Sequence, residues 1–289
     1  MVSEIDNKYK ICRMDFSNPE DMKKLVDLQN DVYLGKHVYN ENSFRYWYLD
    51  NPNGKVVSFN ALYENIIAAH YALIPVKMSF AGEIKNGLLS MATVTHPEHR
   101  GKGLFKTLAK VSYEYAASVG FEFVIGVANA NSFPGFIKYF DFKEISKLEV
   151  LIGTCNNIRP DGDRRYRMFW DEAGYKWRTS RKGYTKDTKA VYGTKSFWKF
   201  KNAPLIKTFL GVVEGDKLDK ICIPKRSVLR PYNLYVGLGS NARKIGYKDV
   251  PSFIKHSPFH LIFMDLTGGR LPEITKDNIF FQLMDFDVA

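Results

Sequence analysis

Apolar positions in the first 150 residues switch repeatedly between a period of two and a period near 3.6, which predicts strands alternating with helices in a layered α/β (α+β) arrangement. Tyr9 to Met14 reads as a strand, and Glu20 to Tyr33 as an amphipathic helix with Met22, Leu25, Leu28 and Val32 on one side. Ser43 to Asp50 reads as a short helix capped by Ser43 and stopped before Asn51-Pro52-Asn53-Gly54, a strong turn signal. Strand patterns follow at Val56 to Tyr63, Ile66 to Leu73 and Val76 to Phe80, with turns at Glu64-Asn65 and Ala81-Gly82, so an antiparallel meander is expected.

After the meander the expected order is strand, helix, strand, helix, strand. Leu88 to Thr95 is the first strand, and Gly103 to Val119 is a long helix carrying Leu104, Leu108, Val111 and Tyr115 at helical spacing. Phe121 to Ala128 is nearly all apolar, as in a strand covered on both faces. Pro134 to Phe140 reads as a short helix and Phe142 to Ile152 as one alternating strand. From Gly153 to about Asp171 the chain turns polar, and a boundary there divides it into lobes at residues 1–153 and 154–289. The second lobe reads as strand-rich, with Ala190 to Gly193, Ile206 to Glu214, Leu218 to Ile223, Leu234 to Gly239, His260 to Leu266 and Ile279 to Phe286, and few helices. Phe44-Arg45-Tyr46-Trp47 has a loose echo in Tyr175-Lys176-Trp177-Arg178, the trace expected of a second lobe descended from the first by duplication.

Composition narrows the class. With 45% hydrophobic and 15% aromatic residues among 289, the chain belongs with ordered globular proteins. Cys12, Cys155 and Cys222 are isolated, without the paired spacings of disulfide frameworks or metal sites, so a reduced compartment and no metal are expected. No stretch approaches the roughly 18 apolar residues of a membrane span, and the N-terminus has no apolar leader, so a soluble cytoplasmic protein is expected. A net charge of +11 attracts anions without choosing among them. Between Arg164 and Lys189, Lys and Arg alternate with aromatics, and Arg178 and Arg181 stand there as candidate charges for an anionic acceptor such as a nucleotide-linked sugar. Such a tract also suits stacking on single-stranded nucleic acid, but no base-reading motif accompanies it.

The most informative run is Val94-Thr95-His96-Pro97-Glu98-His99-Arg100-Gly101-Lys102-Gly103-Leu104-Phe105, between a predicted strand and a predicted helix. A glycine-containing loop entering a helix presents backbone N–H groups with no intrahelical partner, and the helix dipole adds to their pull on phosphate. Gly101 and Gly103 let the backbone approach closely, and Arg100 and Lys102 add charge.

This run resembles motif A of the GNAT acyltransferases, Arg/Gln-x-x-Gly-x-Gly/Ala, with Arg100 and Gly103 matching and Phe105 standing where Gly or Ala is commonest. Asn129-Ala130-Asn131-Ser132 stands where that family has an Asn-containing turn, and Asp141-Phe142 where it has a Gly-Phe-like pair. The resemblance implies a GNAT-like mixed sheet flanked by helices. It also implies an acetyl-CoA cosubstrate held by Arg100, Gly101, Lys102, Gly103, Leu104, Phe105 and Lys106. Thr93, Val94 and Thr95 would line the thioester, and Asn129 or Asn131 would contact the pantetheine arm. The implied reaction is direct attack of a small-molecule amine on the thioester. In many members a Tyr seven positions beyond the Asn protonates the leaving thiolate; here those positions are Phe136 and Lys138, which leaves Tyr139 as the candidate acid. His70 and Glu122 are candidate bases, and His96 and His99 shape the loop. Two-lobed members with a Trp before an Asn-Pro-x-Gly turn, as in Trp47 to Gly54, resemble those of surface-polysaccharide and amino-sugar pathways. The alternatives are a CoA-binding regulatory module without turnover and a tandem-GNAT aminoacyl transferase using aminoacyl-tRNA.

Overall fold

A computed structural model describes residues 8–33, 39–180, 184–186, 194–199, 205–214, 231–251 and 257–286. The predicted meander is present: β1 (Tyr9–Arg13), β2 (Val57–Tyr63), β3 (Ile66–Phe80) and β4 (Glu83–Thr95) pair antiparallel in that order. The two strands expected at 66–73 and 76–80 are one, running through Ile74-Pro75. Proline costs nothing there because β2 ends opposite Leu73, so no neighbour on that side needs its missing N–H, and Asn51 Nδ2 donates to the Pro75 carbonyl at 3.0 Å.

Helices α1 (Pro19–Tyr33) and α2 (Glu41–Tyr48) cover one face of this sheet, and α3 (Leu104–Ser118) and α4 (Phe133–Tyr139) the other. Ser43 lies inside α2 and so does not cap it; the helix starts two residues earlier than its pattern predicts. Met22, Leu25 and Leu28 of α1 join Leu89, Val94 and Ile125 in one core. Leu104, Leu108 and Ala109 of α3 join Tyr71, Leu88 and Val124 in a second core on the opposite face.

Strand β5 (Phe123–Ala128) pairs parallel with β4. The segment expected as one strand at 142–152 is two, β6 (Lys143–Lys147) and β7 (Glu149–Gly153), because the chain changes partners at Leu148. Beyond it come β8 (Tyr166–Met168), α5 (Glu172–Thr179), β9 (Tyr184–Lys186), β10 (Thr194–Lys199), β11 (Ile206–Glu214), β12 (Tyr232–Leu238), β13 (Lys248–Asp249), β14 (His260–Asp265) and β15 (Ile279–Gln282). The strands expected at 190–193 and 218–223 lie outside the described residues.

Hydrogen bonding crosses the sequence boundary at Gly153 repeatedly. β14 runs between β5 and β6, antiparallel to both, while β7 pairs with β12 and β8 with the end of β3. The first core is likewise continuous across it, holding Val236, Leu238 and Phe281 together with the α1 and α2 residues.

Helix α5 has no counterpart in the predicted elements, although it carries its own signals: Asp171 caps it, accepting from the Gly174 N–H at 2.8 Å, and Lys176 and Arg178 occupy its last turn. The two echoing segments meet in space. Both fall on eight-residue helices, α2 and α5, and these pack ring to ring: Trp177 stacks on Tyr46 with centroids 5.0 Å apart and donates its indole N–H to the Tyr46 carbonyl at 2.8 Å. Cys12 and Cys155 are unpaired, and Cys222 is outside the described residues. Among the described residues no helix is long and apolar enough to cross a membrane.

Candidate functional site

The pairing of β4 with β5 covers Gly87 to Ser90 against Phe123 to Gly126 and then stops. Beyond Ser90 and Gly126 the two strands part: β4 runs on through Thr95 bonded to β3 alone, and β5 through Ala128 bonded to β14. The parting begins at a bulge, since Leu73 pairs with Ser90 and Ala72 with Ala92, leaving Met91 as an extra residue. The result is a V-shaped cleft whose walls carry unpaired backbone.

The orientation of that backbone follows from one bond. The His96 N–H donates to Ala68 of β3 at 2.9 Å, so by strand alternation the N–H groups of Thr95 and Thr93 point away from β3, into the cleft. Side chains alternate as well. Thr93, opposite Tyr71, faces the α3/α4 side and is exposed, Thr95 shares that side, and Val94 is buried on the α1/α2 side. Of the three predicted thioester-lining residues, two side chains therefore face the α3/α4 side and one faces the other.

The wide mouth of the V leads into the glycine loop. Pro97 to His99 form a 3-10 turn, and Gly101 (φ 75°) and Gly103 (φ 72°) both take left-handed backbone that disfavours any side chain. The first bond of α3 runs from Thr107 N–H to the Gly103 carbonyl at 3.1 Å, so the N–H groups of Leu104, Phe105 and Lys106 precede it at the helix N-terminus. A Cβ built on Gly101 meets nothing within 4 Å. Arg100, Lys102 and Gly103 are exposed around this open cradle, while the Arg100 Nε donates to the Thr95 carbonyl at 3.3 Å, tying the loop to the cleft wall. An open ring of unpaired N–H groups beside two cations suits the pyrophosphate of CoA. Leu104 turns into the core. Phe105, the departure from the family pattern, points away from the cradle to pack edge-on against Phe136 and Tyr71, so its bulk leaves the backbone N–H in place.

Across the mouth, Asn129 spends its side-chain oxygen on the N–H groups of Asn131 and Ser132 at 2.9 and 3.0 Å, shaping the turn; the exposed Asn131 side chain is the one left toward solvent. Tyr139 is 47% exposed and stands apart from the Phe136 cluster, with the ammonium groups of Lys106 and Lys138 over its ring at 4.8 and 5.4 Å. Neither candidate base is placed to act. Glu122 precedes β5 at the far end of the paired segment, away from the cleft, where its carboxylate takes the Asn86 N–H and pairs with Lys85. His70 is wholly buried; its Nδ1 sits 2.7 Å from Asn60 Oδ1, and burial holds its pKa down to about 3.

His99 is also buried, its Nδ1 2.7 Å from the Tyr9 hydroxyl, and His96 Nδ1 accepts the Glu98 N–H at 3.4 Å, so both imidazoles brace the loop as expected. Donor atoms of His96, Glu98 and His99 lie within 4.8 Å of one another, a grouping that no cysteine-based spacing signals. Arg178, a candidate acceptor-side charge, is 1% exposed: its Nε donates to the Met284 carbonyl at 2.6 Å and its guanidinium lies 4.9 Å over Trp47. It holds α2 and α5 together. Arg181 lies outside the described residues. On the α1/α2 side, where β1 meets α1, a cavity of about 580 Å³ is lined by Met14, Phe16, Tyr48, Asn51 and Lys55.

The sequence profile of an acetyltransferase (GNAT) domain matches residues 13–144. Residues 13–144 are thus a GNAT acetyltransferase domain. Two solved structures share the fold over most of the chain. One is a conserved protein of unknown function and probable N-acyltransferase from Enterococcus faecalis V583, at 10% identity and TM-score 0.60, covering 89% of this chain and 73% of that one. The other is a GCN5-related N-acetyltransferase from Kribbella flavida, at 8% identity and TM-score 0.60, covering 90% of this chain and 72% of that one. Among curated proteins none matches the sequence. The V-shaped cleft and glycine cradle thus lie within a GNAT acetyltransferase domain, a kind of domain that generally binds acyl-CoA.

Proposed function

We propose that the protein transfers an acetyl group from acetyl-CoA to the amine of a small, anionic acceptor, with a nucleotide-linked amino sugar as the preferred class. The observation that carries this reading is the end of β4–β5 pairing at Ser90 and Gly126 in line with an open glycine cradle. The bound cosubstrate supplies an acyl group activated as a thioester. The cradle N–H groups from Leu104 to Lys106 and the Arg100 side chain hold its phosphates. The N–H groups of Thr93 and Thr95 pair with the arm as a neighbouring strand would, and that of Thr93, the nearer to the closed end, donates to the thioester carbonyl as charge builds on it. Asn131 contacts the arm, and Tyr139, between two ammonium groups, supplies the proton to the departing thiolate.

The acceptor enters from the α1/α2 side. A net charge of +11 favours an anion, and the 580 Å³ cavity with Lys55 at its rim offers room for one. A second reading, CoA binding without turnover, draws on Phe136, buried at the position where many family members carry the acid Tyr. An acceptor screen with acetyl-CoA that follows thiol release decides between them. Release that depends on an amine establishes transfer, and binding without release across amino sugars and their nucleotide conjugates leaves the silent module.

A further inference from the structure

At the point where the V closes, three hydroxyls form a chain. Tyr113 and Tyr71 sit with their oxygens 2.7 Å apart, and the Tyr71 oxygen lies 2.8 Å from Ser90 Oγ. Ser90 belongs to the last residue pair before the strands part, and its partner is Gly126, where a Cβ would stand 3.2 Å from the Ser90 Cβ. The small residue keeps the space beside the hydroxyl open.

The direction of the chain follows from burial. Both tyrosines are buried, and among the described residues Tyr71 is the one hydrogen-bond partner of the Tyr113 hydroxyl. If Ser90 donated to Tyr71 and Tyr71 to Tyr113, the last proton would be stranded in apolar surroundings, at the cost of an unmade buried bond. The favoured order therefore runs Tyr113 to Tyr71 to Ser90, and the hydrogen of Ser90 is left to point outward. Ser90 faces the α3/α4 side with Thr93 and Thr95, the side of the phosphate cradle. From Thr95 at the mouth to Ser90 is five residues, about 16 Å of strand, comparable to the reach of an extended pantetheine arm.

We propose that Ser90, aimed by Tyr71 and Tyr113, donates a hydrogen bond to the sulfur of CoA at the closed end of the cleft. This rests on the reading above. When the amine forms its bond to the acyl carbon, the carbon–sulfur bond breaks and its electron pair goes to sulfur. The proton lost by nitrogen passes to water, while Tyr139 later protonates the thiolate and regains its own proton from water. Ser90 steadies the charge on sulfur without giving up its own proton. Burial pushes both tyrosine hydroxyls above their ordinary pKa, so they stay protonated and act as fixed donors.

The test compares binding of CoA and of desulfo-CoA, which lacks the sulfur, at a pH where the thiol is ionised. Wild type should prefer CoA by roughly tenfold or more, the scale of a hydrogen bond to a charged group. Ser90→Ala should lose that preference while keeping desulfo-CoA affinity, which also certifies its fold. Tyr71→Phe should lose part of it, and the thiolate absorbance of bound CoA should titrate at higher pH in both variants. Equal preference in wild type and Ser90→Ala overturns this role for Ser90 and leaves acyl transfer standing. If wild type binds neither ligand, the proposed function falls and the role of Ser90 with it.

Discussion

Two stretches rich in Lys and Arg attract attention in the sequence, and the fold uses them in opposite ways. In the loop leading into α3, Arg100 and Lys102 stay exposed around left-handed glycines, and the backbone N–H groups that open the helix lie beside them. In α5 the chain does the reverse: Arg178 is buried over Trp47 and bonded to Met284, beside an Asp285 carboxyl that burial pushes up to about 7. Charge content is similar, but glycine spacing separates the two. A helix start with open φ-positive residues presents donors to an anion, whereas a cation at helical spacing among tryptophans is stem and ring packing first.

The largest expected effect breaks the buried side. Arg178→Glu removes the bond to Met284 and the contact with Trp47 and sets a second carboxylate near Asp285, so denaturant unfolding should show a loss of about 3–5 kcal/mol. Arg100→Glu, on an exposed side chain, should change stability by less than about 0.5 kcal/mol. Similar losses in both would erase the contrast. Next in size is the ligand response of the loop. Acetyl-CoA at 100 times its dissociation constant should stabilise the wild type by about 2.7 kcal/mol. Gly103→Glu, which forces a side chain into left-handed backbone and a negative charge into the cradle, should show no such shift. An undiminished thermal shift in that variant would remove the loop from the site.

Much of this was legible beforehand because it was local. Left-handed glycines ahead of an amphipathic helix, the turn at Asn129 and the order of elements after the meander all depend on residues close in sequence. What was hidden depends on long-range pairing. β14 takes its place beside β5 although 131 residues separate Leu261 from the turn at Ala130, and nothing in an apolar run names its partner. The break at Leu148 was invisible for the same reason, since alternation continues through it while the neighbour changes. Ser90 could have been noticed as a polar residue inside an apolar strand, but only the fold brings Tyr71 and Tyr113 to it. The tract around Arg178 misled because period and charge alone do not say which way a helix faces.

Protons offer a further probe of the buried side. The folded protein keeps His70 neutral down to about pH 3, while an unfolded imidazole takes up a proton below about 6.5. Between those values the unfolded state binds more protons, so the contribution is fully present above about 6.5 and falls with pH by roughly 1.4 kcal/mol per unit. Urea unfolding from pH 7.5 to 5 should show His70→Gln with a shallower decline than wild type. Parallel slopes in the two proteins would mean that the His70 site admits a charge.

The smallest expected effect is the sharpest test of what the exposed side does. Gly101 is left-handed at φ 75° with open space where a Cβ would stand, so Gly101→Ala pays a conformational cost but meets no atom of the protein. The backbone penalty is about 1–2 kcal/mol per residue, and relaxation of an exposed loop should bring the loss of stability to the lower end of that range. If the space above Gly101 is where phosphate lies, the added methyl also competes with the ligand, and acetyl-CoA affinity should fall severalfold beyond what stability explains. Gly82→Ala supplies the control, because Gly82 is equally left-handed at φ 100° and equally open, at the β3–β4 turn far along the strands from the cradle. Both variants should lose similar stability, and Gly101→Ala alone should weaken binding as measured by calorimetry. Equal affinity in the two would show that open backbone at Gly101 reflects solvent and loop geometry, with no phosphate above it.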